Sequence, residues 1–113
     1  MKQVKAFIKP HKLDAVALVL HHVSGVTGLS VSEIKGFGRG RGHQSPKQSE
    51  EEIAGFIDHI KIELVCHDAL VEQIVEAIET TAHTGLRGDG KIYVSPVDMA
   101  VRISTGERGE KAV

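Results

Sequence analysis

Tryptophan is absent, tyrosine occurs once and aromatic residues make up 4% of the 113 residues, so the interior has to be built from aliphatic side chains. The single cysteine, Cys66, excludes an intramolecular disulfide and a cysteine-based zinc cluster, and points to a reducing, cytoplasmic setting. No apolar run approaches the length needed to cross a bilayer, and Met1-Lys2-Gln3-Val4-Lys5 leads into an alternating pattern rather than an export signal. Net charge is nearly absent too. A formal balance of −1 argues against direct nucleic-acid binding, which depends on an excess of lysine and arginine. Paired carboxylates, an activated serine and a cysteine–histidine set at catalytic spacing are all missing, which favours a binding protein over an enzyme.

What is present describes one domain, residues 1–113. Val4, Ala6 and Ile8 alternate with Lys5, Phe7 and Lys9 and predict a strand with one buried face, stopped by Pro10. Leu13, Val16, Ala17 and Leu20 recur at helical spacing, and the helix they predict ends near His22, before Gly25. Leu29 and Val31 begin a second strand running toward Ile34. The pattern then repeats: a strand over Ile60, Ile62 and Leu64, a helix capped by Asp68 with Leu70, Val71, Ile74, Val75 and Ile78 on its buried stripe, and a strand at Ile92 and Val94. A last short strand is expected over Val97, Met99, Val101 and Ile103, before a polar tail at about 105–113. Thr-Gly-Leu precedes the second strand of each half, at 27–29 and 84–86, which suggests an internal duplication. Two βαβ units with their helices on one sheet face make an α+β, ferredoxin-like fold with an antiparallel sheet. The other face mixes Lys5, Lys9, Ser30, Ser32 and Glu63 with Phe7, Ile34 and Val65, a composition suited to a subunit interface with clefts in it.

Chemistry concentrates at two glycine-rich stretches. The first, Lys35-Gly36-Phe37-Gly38-Arg39-Gly40-Arg41-Gly42-His43, opens a long loop at about 38–56, whose residues 44–52 contain no aliphatic or aromatic side chain. The second, Thr84-Gly85-Leu86-Arg87-Gly88-Asp89-Gly90-Lys91, is a shorter turn. Each pairs pliable backbone with fixed positive charge, Arg39 and Arg41 in one, Arg87 and Lys91 in the other, and polyphosphate is the ligand this favours. Neither has P-loop or dinucleotide-fold spacing, and a flexible connector is the plainer reading of the first.

Several longer motifs extend across the chain: Ile8-Lys9-Pro10, Thr27-Gly28-Leu29-Ser30-Val31, Lys35-Gly36-Phe37-Gly38-Arg39, Lys61-Ile62-Glu63, Gly88-Asp89-Gly90-Lys91-Ile92, and Arg102-Ile103 with Thr105-Gly106-Glu107. In these the sequence resembles the nitrogen-regulatory PII signal-transduction family over essentially its full length. The resemblance implies a homotrimer with an adenine-nucleotide site in each inter-subunit cleft, and a loop that touches a target protein or membrane transporter. By position it places Ser30, Glu63 and Val65 around adenine, and Gly38, Arg39, Gly88, Asp89, Gly90, Lys91 and Arg102 at the phosphates. Gly40, Arg41, His43, Ser49, Glu52 and His59 fall to the effector or partner loop.

The sequence departs from that family where effectors are read. Gly40 stands where the family usually has a glutamine that helps hold magnesium and 2-oxoglutarate, and His59 where it has a lysine for the oxoacid. The implied ligands are therefore ATP or ADP, with Mg2+ optional beside them, and 2-oxoglutarate is expected to add little. Ser104 replaces a further phosphate-binding arginine in many members, and Glu52 occupies the place of the uridylylated tyrosine, which excludes that modification there. Two alternatives differ in class. Seven histidines with Cys66 raise a metal-responsive regulator of a heavy-metal efflux system, although Cys66 and His67, adjacent in a strand, would point to opposite faces and no metal site is assigned. The other is a trimeric adaptor that responds to no ligand.

Overall fold

In the computed structural model, which describes residues 1–37 and 56–113, the opening alternation becomes strand β1, Lys2–Ile8, with Val4, Ala6 and Ile8 buried. Pro10 ends it by starting a 3-10 turn, Pro10–Lys12, a position where its missing N–H forfeits no bond. Helix α1, Leu13–His21, buries Val16 and Leu20 from the expected stripe. Strand β2 is Ser30–Gly36. Strand β3, Ile57–Cys66, begins three residues before the expected Ile60. Helix α2, Val71–Ala82, buries Ile74, Ile78 and Ala82, and strand β4 is Lys91–Pro96.

The strands form one antiparallel sheet in the order β2-β3-β1-β4, the ferredoxin-like arrangement expected. The two helices pack on each other, and α2 packs on β1. Their apolar stripes meet Val4, Ala6, Ile8, Ile60, Ile62, Leu64 and Cys66 in a single core. Each aliphatic side chain fully buried there contributes about 1.5–3 kcal/mol relative to exposure. Burial stops short of the sheet's edges. Val31 on β2 and Val94 on β4 stand in the same cross-strand rows as buried Ile62 and Val4, yet both remain 44% exposed. Helices of 9 and 12 residues cover the two central strands more fully than the outer two, where Ile92 on β4 is only partly buried against the core. Cys66 ends β3 inside the core, where burial pushes its thiol pKa up, while His67 turns outward to Glu110.

Two expectations are corrected here. Val97–Ile103 is not a strand: only Val101 forms an isolated bridge, to Arg108, and Ile103 is 98% exposed. The apolar alternation is real, but among the described residues no strand pairs with it beyond Pro96. Gly106 and Gly109, both at positive φ, instead fold residues 100–109 back on themselves. Backbone bonds from Arg102 N to Glu107 O at 2.9 Å and from Gly109 N to Ala100 O at 2.9 Å hold the fold-back. The end of the chain is likewise structured, as a 3-10 turn, Gly109–Ala112. The second correction is Asp68, which does not cap α2. A 3-10 turn, Asp68–Leu70, precedes the helix without a side-chain cap, because the carboxylate is drawn to the Met1 ammonium at 2.9 Å, whose hydrogen bond, and then whose charge, lower its pKa.

Candidate functional site

The second glycine turn leaves α2 and enters β4, and it is held by one carboxylate. Asp89 Oδ2 accepts the backbone N–H groups of Thr84 at 2.8 Å and Gly85 at 3.2 Å. Its Oδ1 accepts the Thr84 hydroxyl and lies 3.2 Å from Lys9 Nζ. The Thr84 oxygen in turn accepts from Lys9 Nζ at 3.1 Å and from Leu86 N at 3.1 Å. A hydroxyl has one donor and two acceptor sites and a carboxylate about four acceptor sites, so both groups are saturated. Hydrogen bonds from Thr84, then from Lys9 and Gly85, hold the Asp89 carboxyl well below the usual carboxylate range.

Glycine is required where this turn meets the sheet. Gly90 has φ +102, and a Cβ placed on it would lie 1.6 Å from the Phe7 carbonyl oxygen, a backbone atom of the neighbouring strand. Gly88, at φ +81, lies beside Lys9 and Ile57, and its carbonyl accepts from the His59 ring at 3.4 Å. Arg87 and Lys91 are exposed and make no ion pair with any other described residue. The turn is thus a fixed loop whose internal carboxylate is already engaged and whose two cations are available to an anion.

The other expected positions are distributed across the sheet. Ser30 and Glu63 are directly paired between β2 and β3, and Val65 is two residues further along, on the same face. Glu63 is held by Lys61 at 3.0 Å and by Gln3 Nε2 at 3.3 Å. Lys91 belongs to β4, at the opposite edge of the sheet. Three strand spacings of about 4.8 Å put roughly 14 Å between the strands of Ser30 and Lys91, and two spacings put roughly 10 Å between those of Glu63 and Lys91. Arg102 lies beyond β4, 3.7 Å from Glu107 at the surface. One copy therefore does not gather the adenine set and the phosphate set into one pocket. A groove of about 520 Å3 at the ends of β2 and β3, lined by residues including Pro10, Glu33, Ile34 and His59, includes none of the described residues of the phosphate set. Gly38, Arg39, Gly40, Arg41, His43, Ser49 and Glu52 lie outside the described residues. The two ends of that stretch stand together: the rings of Phe37 and Phe56 meet edge to face at 5.3 Å.

With this geometry in hand, the comparisons decide the family. The family model described as nitrogen regulatory protein P-II matches residues 1–107. The chain belongs to the P-II family. Proteins named nitrogen regulatory protein P-II from Azospirillum brasilense and Rhodospirillum rubrum are each 50% identical to it over 113 residues, with both chains covered completely. The one from Haemophilus influenzae is 45% identical over the same span. Relatives so named are regulators, and membership of the P-II family makes this chain a regulatory protein of nitrogen signalling rather than an enzyme.

Sequence reasoning left Lys9 and Thr84 without a role in the P-II turn. Thr84 and Asp89, five residues apart around a run of glycines, were a usable signal for a loop closed by its own side chains. Lys9 gave none, since its partner Thr84 lies 75 residues away. Among the described residues no group of three histidine, cysteine, aspartate or glutamate side chains stands close enough to share an ion, and no helix is long and apolar enough to cross a membrane.

Proposed function

We propose that this P-II family member acts in the cytoplasm as a homotrimeric sensor of adenine nucleotides in nitrogen or carbon metabolism. It binds ATP or ADP in the clefts between copies and conveys the nucleotide's state to a target protein or membrane transporter through residues 38–56. The observation that carries the reading is the turn at 84–91, a fixed loop with its own carboxylate saturated and with Arg87 and Lys91 unpaired among the described residues. A second copy is invoked because β1 separates the adenine set, on β2 and β3, from Lys91 on β4. It would also cover Tyr93, Met99 and Val101, which one copy leaves 53%, 62% and 45% exposed. With Gly40 and His59 in the oxoacid positions, 2-oxoglutarate adds little and the adenylate ratio is the main signal.

Light scattering combined with calorimetry tests this. A trimer that binds ATP and ADP is expected, and Lys91→Ala should weaken both by tenfold to a hundredfold, the effect of about 1–3 kcal/mol for a lost charged hydrogen-bond partner. A monodisperse monomer at micromolar concentration, or no heat with either nucleotide, removes the reading.

A further inference from the structure

Lys9 sits where the nucleotide reading makes no use of it. It follows β1 and is 19% exposed, with its ammonium shared between Asp89 Oδ1 at 3.2 Å and Thr84 Oγ1 at 3.1 Å. The turn has an electrostatic problem that this contact answers. An ionised carboxylate stands between Gly88 and Gly90 and two positions before Lys91, within the loop that the nucleotide reading offers to phosphate. Left alone it would repel phosphate oxygens. Among the described residues Lys9 is the one lysine or arginine within ion-pair reach of Asp89, the exposed His83 ring being 3.6 Å from the other oxygen. Lys9 is also rooted in a different element: it extends from the strand whose Phe7 carbonyl closes on Gly90, so its bond ties the turn to the middle of the sheet.

We propose that Lys9 is a positioning residue for the phosphate turn: its ammonium cancels the charge of Asp89 and ties residues 84–90 to β1, so a polyphosphate meets a preshaped loop without net repulsion. This rests on the nucleotide reading above. Lys9 acts through Asp89 and does not touch the ligand, since its Nζ is already engaged and mostly covered. The effect therefore scales with ligand charge, which a merely structural role would not produce.

Calorimetry with ATP, ADP and AMP on the full-length wild type, Lys9→Met, Lys9→Arg and the double variant Lys9→Met/Asp89→Asn tests it, together with hydrogen exchange of the amides at 84–90 in the ligand-free proteins. Lys9→Met should weaken ATP roughly tenfold or more, ADP less and AMP least, and should speed exchange across the turn. Lys9→Arg should restore both. The double variant should recover most of the ATP affinity, because an asparagine keeps acceptors for Thr84 N and Gly85 N and carries no charge to cancel. Equal affinities and unchanged exchange in Lys9→Met overturn the proposal while leaving the nucleotide reading intact. A loss equal for all three nucleotides overturns it too. If the double variant is as weak as Lys9→Met, Lys9 contacts the ligand itself and the positioning role falls. If the wild type binds no nucleotide, the nucleotide reading and the charge-cancelling role fall together, and faster exchange in Lys9→Met then upholds only the tie to β1.

Discussion

The tripeptide Thr-Gly-Leu occurs twice, after the helix and before the second strand of each half, and the two copies fold differently. At 27–29 the chain runs straight into β2: among the described residues the Thr27 hydroxyl has no partner, nothing lies within 4 Å of a Cβ placed on Gly28, and Leu29 packs on the core. At 84–86 the threonine hydroxyl is saturated, the glycine has φ +80 and the leucine is 73% exposed. What separates them is Asp89, five residues after Thr84, with Lys9 to balance it. Recurrence of a tripeptide marks equivalent places in a duplicated topology. A charged partner decides whether that place becomes a built loop.

Matched substitutions test that contrast. The largest expected effect is Gly90→Ala, which forces a side chain against the Phe7 carbonyl and should cost about 4 kcal/mol or more in urea unfolding, or leave no folded protein. Gly28→Ala, in open space, should change stability by no more than about 0.5 kcal/mol. Comparable losses at both sites would mean the second turn is no more constrained than the first. Next comes Thr84→Val against Thr27→Val. The former leaves Asp89 and Leu86 N short of partners and should cost about 1–3 kcal/mol, while the latter should stay within about 0.5.

The mildest probe is acid. Asp89 has a depressed pKa in the folded protein, so its contribution is fully present above the ordinary value of 3.8 and is lost only as pH falls through the lower folded value. Amide protection at 84–90 should hold down to about pH 4 and decline below it, and a decline beginning near neutral pH would assign the loop's stability to another group.

Most of the fold was legible because its determinants are local. The alternation of Val4, Ala6 and Ile8 and the stripe of Ile74 and Ile78 repeat within a few residues, and burial of one face follows from them. The misreadings arose where a local signal had a distant competitor or lacked a partner. Asp68 has the chemistry of a helix cap, but the Met1 ammonium claims it from 67 residues away. Val97, Met99, Val101 and Ile103 alternate as a strand should, but among the described residues they find no ladder to join beyond the single Val101 bridge to Arg108. For the site, Lys91 and the glycines at 88 and 90 could be picked out from composition, whereas Lys9 could not, since nothing near it in sequence hints at a carboxylate so far along the chain.

The outer strands carry a consequence for handling and for misassembly. An open sheet ends on two rows of backbone donors and acceptors that any extended chain can extend. On β2 the charged Glu33 and Lys35 alternate with other residues and discourage such pairing. Strand β4 is less guarded: after Lys91 it reads Ile92-Tyr93-Val94-Ser95, with no further charge before Pro96. Aggregation of isolated copies should therefore nucleate along β4 rather than β2, and a charge introduced at Ser95 is the substitution that would protect a dilute or freshly synthesised chain.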